Sequence, residues 1–335
     1  SMAIGDGICS SWSPVEQVAT LGASELIELS GIQASRVSPD RVWVHNDAGN
    51  EAELYALSWT GELEGTVRVS GVENDDWEDL AVGPCMDGFQ MSCSCLYLAD
   101  TGSGSGDREE AVIYRIEEPD PSDTETVVPQ SLWFRYPDSG HDAETLLVHP
   151  LTGETLVLTK NPDGPTQVFA FPDVPPLPAA EEDPVELIQV ALLDMAALDL
   201  GDGAITGGSV SPLGERLVLR TASRVFVLDI PGDSLAEAFE AEPVAIFETP
   251  TDQGEAITFG LSGDGLWMVD EGENSPLWHV ECLDFDASTE DAEDPLLVCD
   301  AVTSEPSCGC SGGEVAWLWL LPGLGWRRRR HRNLS

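Results

Sequence analysis

Glu144-Thr145-Leu146, then TLVLT at 155–159, QVFAF at 167–171 and ELIQV at 186–190, make four short apolar runs parted by Gly, Pro, Asn and Asp. Runs of this length and punctuation predict consecutive antiparallel strands. The same four-part unit recurs on both sides. Its opening run, a small or acidic residue before an aliphatic one, returns at Ser30-Gly31-Ile32, Glu78-Asp79-Leu80, Gly208-Ser209-Val210 and Glu255-Ala256-Ile257. Second runs follow at 42–45, 95–99, 216–220 and 266–269. Third runs lie at 54–57, 112–116, 225–228 and 277–280, each with an aromatic residue. Fourth runs lie at 66–69, 132–136 and 244–247.

Five units of four strands predict an all-β fold, a five-bladed β-propeller. The fifth unit lacks its own fourth run. Residues 25–29, ahead of the first unit, are expected to fill that place and close the ring by an N-terminal strand, which removes open sheet edges. A β-sandwich with long loops is the alternative, but it does not explain an aromatic in every third run. Helical spacing is confined to 187–198 and 234–240. Residues 1–23 are expected to precede the propeller, 24–283 to form it, 284–307 to form an acidic stalk and 308–335 a C-terminal tail.

The chain carries 15 Lys+Arg against 61 Asp+Glu, a formal net charge of -46. Phosphate-held nucleic-acid binding needs clustered bases, so nucleic acid is excluded as a partner. Docking of the folded body on an anionic membrane is excluded for the same reason. Five of the fifteen bases (Arg327, Arg328, Arg329, Arg330, Arg332) sit in the last nine residues, and Lys160 is the only lysine. Such acidity fits solubility in a saline medium, or the collection of divalent cations.

The eight cysteines (Cys9, Cys85, Cys93, Cys95, Cys282, Cys299, Cys308, Cys310) have no zinc-site spacing, and disulfides in an oxidising compartment are expected. Cys85 with Cys93 or Cys95 would staple one loop and Cys282 with Cys299 another, but the six cysteines ahead of the tail allow 15 connectivities and the pairing stays open. At the C-terminus, Ser307-Cys308-Gly309-Cys310 precedes an apolar run at 315–326 and the arginines. Twelve residues fall short of the ~20 that span a bilayer. This order resembles the myxobacterial C-terminal sorting tail (MYXO-CTERM). The resemblance implies export, processing at Cys308 or Cys310, and display at the outer envelope, with membrane contact only through the tail. Ser1-Met2-Ala3-Ile4-Gly5-Asp6 has no basic start and no apolar stretch, so a leader already removed is expected.

The innermost strand of a blade lines the central channel. Glu78, Glu144 and Glu255 therefore occupy equivalent places on three blades, with Ser30 and Gly208 on the other two. Converging carboxylates repel unless a cation or shared protons sit among them, and oxygen ligands of this kind suit calcium. The opposing reading, that each glutamate caps a loop at its blade start, has equal weight. Asn74-Asp75-Asp76-Trp77-Glu78-Asp79 is the densest acidic string. His45, Asp47 and Asp100 are expected to gather on one rim, so Asp47, Asp79 and Asp100 join the three glutamates as candidate metal ligands. His141 is a weak candidate general base; no nucleophile elbow is present.

Roughly residues 24–282 look like exported bacterial β-propellers related to the "esterase-like activity of phytase" group. The matching stretches are Ser30-Gly31-Ile32, Trp43-Val44-His45-Asn46-Asp47-Ala48-Gly49, Asp76-Trp77-Glu78-Asp79-Leu80, Leu98-Ala99-Asp100-Thr101-Gly102, Asp142-Ala143-Glu144 and Gly254-Glu255-Ala256-Ile257. The resemblance implies a propeller, bound calcium, and at most a phosphoesterase-like activity. The expected protein is a monomeric, surface-anchored, calcium-associated binding or scaffold module for an extracellular ligand or protein. The alternative is a calcium-dependent, phytase-like phosphoesterase. Few cations near the rim loops leave a phosphate without a clamp.

Overall fold

The computed structural model describes residues 9–87, 90–126, 128–162, 164–195 and 204–285. Cys299, Cys308, Cys310, the apolar run and most of the expected stalk lie outside the described residues. Strand β1 (Glu16–Thr20) comes first. Blade 1 is β2 (Leu29–Ala34), β3 (Arg41–Asn46), β4 (Glu53–Ser58) and β5 (Leu63–Arg68). Blade 2 is β6 (Trp77–Asp87), β7 (Gln90–Asp100), β8 (Glu110–Glu117) and β9 (Gln130–Arg135). Blade 3 holds β10 (Ala143–Val148), β11 (Thr155–Thr159) and β12 (Thr166–Ala170). After them a two-residue strand, β13 (Val185–Glu186), joins blade 2 in parallel with β9, and β14 (Ile188–Leu193) completes blade 3. Blade 4 is β15 (Ile205–Val210), β16 (Arg216–Thr221), β17 (Arg224–Asp229), the single-turn helix α1 (Leu235–Ala238) and β18 (Ala245–Glu248). Blade 5 is β19 (Gly254–Phe259), β20 (Gly265–Asp270) and β21 (Pro276–Glu281).

The five sheets, antiparallel except where β13 joins β9, stand side by side, and their first strands close a ring in which β2, β6, β10, β15 and β19 each neighbour the next. The all-β, five-bladed propeller is therefore the fold. Its apolar core is divided among the seams between blades. Trp43, Trp77, Leu80 and Leu98 fill the seam of blades 1 and 2; Tyr97, Phe134, Leu146 and Phe169 fill that of blades 2 and 3. Leu147, Leu158, Leu219 and Phe226 pack blades 3 and 4, Val218, Ile257 and Met268 pack 4 and 5, and Ile32, Val44 and Val269 pack 5 and 1. Sheets stacked face to face bury both faces of each inner strand, as the wholly buried β2, β10 and β15 show.

Three expectations are corrected. The closing strand is β1, Glu16–Thr20, which pairs antiparallel with β21; residues 25–29 lead into β2 instead. Four of the five residues of β1 are exposed, so no apolar pattern announced it. Within the helical spacing at 187–198, residues 188–193 are β14, which pairs with β12, and 196–198 lie outside the described residues. The need of an outer strand for a hydrogen-bonded neighbour overrides local spacing there. Cys282 bonds to Cys9, sealing the strand closure across 273 residues, and does not pair with Cys299. Cys85 bonds to Cys95, which resolves its two alternatives. The expected short helix at 234–240 is present as α1.

Candidate metal centre at one end of the channel

Every inner strand is interrupted at the same place. The pairing register slips between Leu29 and Gly31, Trp77 and Asp79, Ala143 and Thr145, Ile205 and Gly207, and Gly254 and Ala256. Each slip leaves one extra residue: Ser30, Glu78, Glu144, Thr206 and Glu255. A β-bulge of this kind frees its residue from the ladder and re-aims the side chain. Five bulges, one per blade, thus form a ring at one end of the channel. The fourth member is Thr206, not Gly208, which lies two residues further along β15. A bulge is visible only in pairing, so sequence alignment of the runs placed blade 4 two residues out.

Two further positions complete the mouth. Two residues before each bulge stand Glu28, Asp76, Asp142, Ala204 and Gln253. One residue past each second strand's partner come Asp47, Thr101, Lys160, Ala222 and Glu271. In four blades the amide of this residue donates to the carbonyl two before the bulge: Asp47 to Glu28 at 2.7 Å, Thr101 to Asp76 at 3.1 Å, Lys160 to Asp142 at 2.9 Å and Glu271 to Gln253 at 3.0 Å. Blade 4 contributes only Ala204, Thr206 and Ala222. The mouth is therefore lopsided, with its acids on blades 1, 2, 3 and 5.

Two sets of carboxylates meet. Single oxygens of Asp47, Asp76 and Glu78 lie within 4.8 Å of one another, and so do those of Glu78, Asp142 and Glu144. Two oxygens on opposite sides of one Ca²⁺ are about 5 Å apart, so either set could share an ion. Neighbouring backbone fixes the arrangement. Asn74 donates from its side chain to the carbonyls of Asn46 and Asp47 and accepts the Trp77 amide, holding the Asp47 loop against blade 2. The Ser103 amide donates to Asp142 at 2.7 Å. Gly102 presses on the first set so closely that a Cβ there would stand 1.9 Å from Glu78 Oε1. Ser30 donates to the Glu78 carbonyl at 2.8 Å and reaches its Oε2 at 3.3 Å.

The charge is poorly balanced. Lys160 Nζ contacts Glu144 Oε1, while Glu144 Oε2 is buried and has no hydrogen-bond partner. Burial, followed by the repulsion of its neighbours, pushes the carboxyl of Glu78 far up; Glu144 is raised by burial, with Lys160 opposing. Burial and repulsion also raise Asp76 to about 6 and Glu255 to about 7. Burial raises Asp47 and Asp142 too. Half-burial alone would lower the Lys160 amine, yet Glu144, Glu255 and Glu78 raise it. Such a mouth stores repulsion that protons or a cation relieve.

The remaining candidates are placed elsewhere. Asp79 turns away from its neighbour Glu78 into the seams, fully buried, and accepts the amides of Leu80 and Leu146 at 2.8 Å each. Burial raises its carboxyl while the amides of Leu146, Leu80 and Gly208 oppose the rise. It fastens blades together, and the structure does not bring it into either set. Asp100 is held by Arg108 at 2.9 Å and by the Asp76 amide at 3.2 Å. His45 is fully buried: its Nδ1 lies 3.0 Å from the Asn46 carbonyl, and a Cβ on Gly31 would strike its ring. Enclosed in this way it does not join Asp47 and Asp100 on a rim, and burial lowers its pKa to about 4. His141 bonds Asp138 at 2.9 Å and packs edge-on against Tyr136, outside both carboxylate sets. Asp76, Asp142 and Lys160 were not among the expected ligands. The repeated Asp-x-Glu spacing of Asp76–Glu78 and Asp142–Glu144 carries the signal for two of them.

No protein-family model matches the chain, and no curated protein matches it. Among solved structures it is similar to the PQQ-bound form of aldose sugar dehydrogenase from Streptomyces coelicolor, at 14% identity and a TM-score of 0.46. That likeness covers 81% of this chain and 98% of the other. It is also similar to the apo form of soluble aldose sugar dehydrogenase from Escherichia coli, at 11% identity and a TM-score of 0.42, covering 81% of this chain and 100% of the other. The propeller itself is established by the closed ring of five sheets and by the β1–β21 pairing that seals it.

Proposed function

We propose that this protein is an exported β-propeller whose acidic mouth binds a divalent cation, calcium by the chemistry of its donors, and that it serves as a binding or scaffold module. One observation carries the reading. Asp47, Asp76 and Glu78 converge within 4.8 Å with raised pKa values and no base in contact with any of the three side chains among the described ion pairs. Hard carboxylate oxygens without sulfur or imidazole favour Ca²⁺ over transition metals. Two disulfides support an oxidising compartment. Display through Cys308 or Cys310, a monomeric state and an extracellular ligand or protein partner belong to the same proposal. A phosphoesterase is not favoured. The cations described around the mouth are already engaged, Lys160 with Glu144, Arg108 with Asp100 and Asp75, and the buried Arg220 with Asp270, so none of the three is left to clamp a phosphate.

Thermal unfolding with Ca²⁺, with Mg²⁺ and with chelator tests the site. At one hundred times Kd, binding stabilises the fold by about 2.7 kcal/mol, a rise of several degrees. Superimposable curves in all three would refute it. Surface labelling of cells, with Cys308 and Cys310 both changed to Ala, tests display: label that persists on the variant removes the tail from the proposal.

A further inference from the structure

The second carboxylate set differs from the first in one respect. A cation of the chain's own is already seated beside it. The Lys160 ammonium contacts Glu144 Oε1, and Glu255, Glu78 and Asp142 all feel its charge. Among the described ion pairs no such group contacts the side chains of Asp47, Asp76 or Glu78; Lys160 acts on Asp47, and Arg108 on Asp76, only from a distance. Glu144 is only 6% exposed, and its second oxygen has no partner, so the set keeps a donor able to ligate. Geometry alone would admit an ion at each set, with Glu78 common to both.

We propose that Lys160 is a tethered stand-in for a second divalent ion: it blocks the Glu78–Asp142–Glu144 set and directs a single cation to Asp47, Asp76 and Glu78. This rests on the divalent-cation reading above. A dication placed on the second set would stand beside a fixed positive charge in a half-buried site, where like charges are poorly screened. Taking that charge away leaves Glu144 with both oxygens bare and the second set equal in kind to the first. Lys160 therefore decides how many ions the mouth holds. The amine is the only lysine in the chain, so its charge can be altered by chemistry as well as by mutation.

Isothermal titration of the full chain with Ca²⁺ reads the stoichiometry. The expected values are one ion for the native protein, two for Lys160→Met and one for Lys160→Arg, with the double change Lys160→Met, Glu144→Gln returning to one. Asp76→Asn should remove the ion of the native protein and leave Lys160→Met with one. Acetylating Lys160 on the folded protein, verified by mass spectrometry, should also give two ions without relying on refolding of a variant. One ion in both Lys160→Met and the acetylated protein overturns the inference while leaving the cation reading intact. Two ions in the native protein do the same. No ion in the native protein refutes the parent reading, and this inference with it.

Discussion

Glu118 and Glu78 lie at opposite ends of the seam between blades 1 and 2, and the seam treats their charges in opposite ways. Glu118 accepts the Ser35 hydroxyl, the Arg36 amide at 3.1 and 3.2 Å, the Trp43 indole N–H at 3.0 Å and the Ser94 hydroxyl at 2.8 Å. These donors come from two blades, so the carboxylate is a rivet. Glu78, equally hidden, meets Ser30 and then other acids. A buried charge surrounded by fixed donors is structural, whereas a buried charge facing like charges is held there at a cost to the fold. The contrast separates the two kinds of acid in a chain where acids are everywhere.

Removing the rivet should have the largest effect. Glu118→Ala leaves two hydroxyls, an indole N–H and an amide unpaired in a buried seam, and about 3–4 kcal/mol of stability should be lost in denaturant unfolding. A loss below 1 kcal/mol would break the contrast. The Ca²⁺ response of about 2.7 kcal/mol at saturation comes next, and it should vanish in Asp76→Asn and survive in any variant of the Glu118 pocket that folds.

Third in size, and opposite in sign, is Glu78→Gln measured in chelator. In the metal-free fold the raised Glu78 carboxyl holds a proton at neutral pH that the unfolded chain releases, which costs stability. Gln removes that cost, so the metal-free protein should gain about 1–2 kcal/mol while losing its Ca²⁺ response. A variant that is both less stable and still responsive would place Glu78 among the structural acids with Glu118.

Most of the fold was legible because propeller strands are short, apolar and evenly punctuated; Phe169 and Phe226 mark third strands in sequence as clearly as in space. What escaped was fixed by contacts remote in sequence. Glu16–Thr20 is recognisable only by its partner β21, and Cys9 only by Cys282. Glu78, Glu144 and Glu255 were legible because each opens a run. Asp79 stands apart from both carboxylate sets because a bulge turns adjacent residues apart, a geometry that two neighbouring acids do not betray. Thr206 was missed for the same reason, since Gly208 aligns better by eye than by register.

The smallest effect, and the one that reads the mouth without mutation, is on pH. Glu255, whose ordinary carboxyl value is 4.5, titrates in the fold at about 7, and Asp76, ordinarily at 3.8, at about 6. A carboxyl whose pKa is raised by folding contributes stability that is complete below its unfolded value and is lost as pH rises through its folded value. In chelator, therefore, Tm should fall between about pH 6.5 and pH 8. Below that window the buried His45, lowered to about 4, adds stability as pH rises, because only the unfolded chain takes its proton there. Glu255 and Asp76 are both partly open to solvent, so the slope should be modest, about one to two degrees per pH unit. Added Ca²⁺ must oppose that fall, because the ion binds the deprotonated acids and its affinity grows as they ionise. The gap between the two Tm curves should then widen from about pH 6.5 to pH 8. A chelated protein whose Tm rises across this window would mean that the mouth acids already have their counter-charges, as Glu118 has its donors, and the two ends of the seam would be alike.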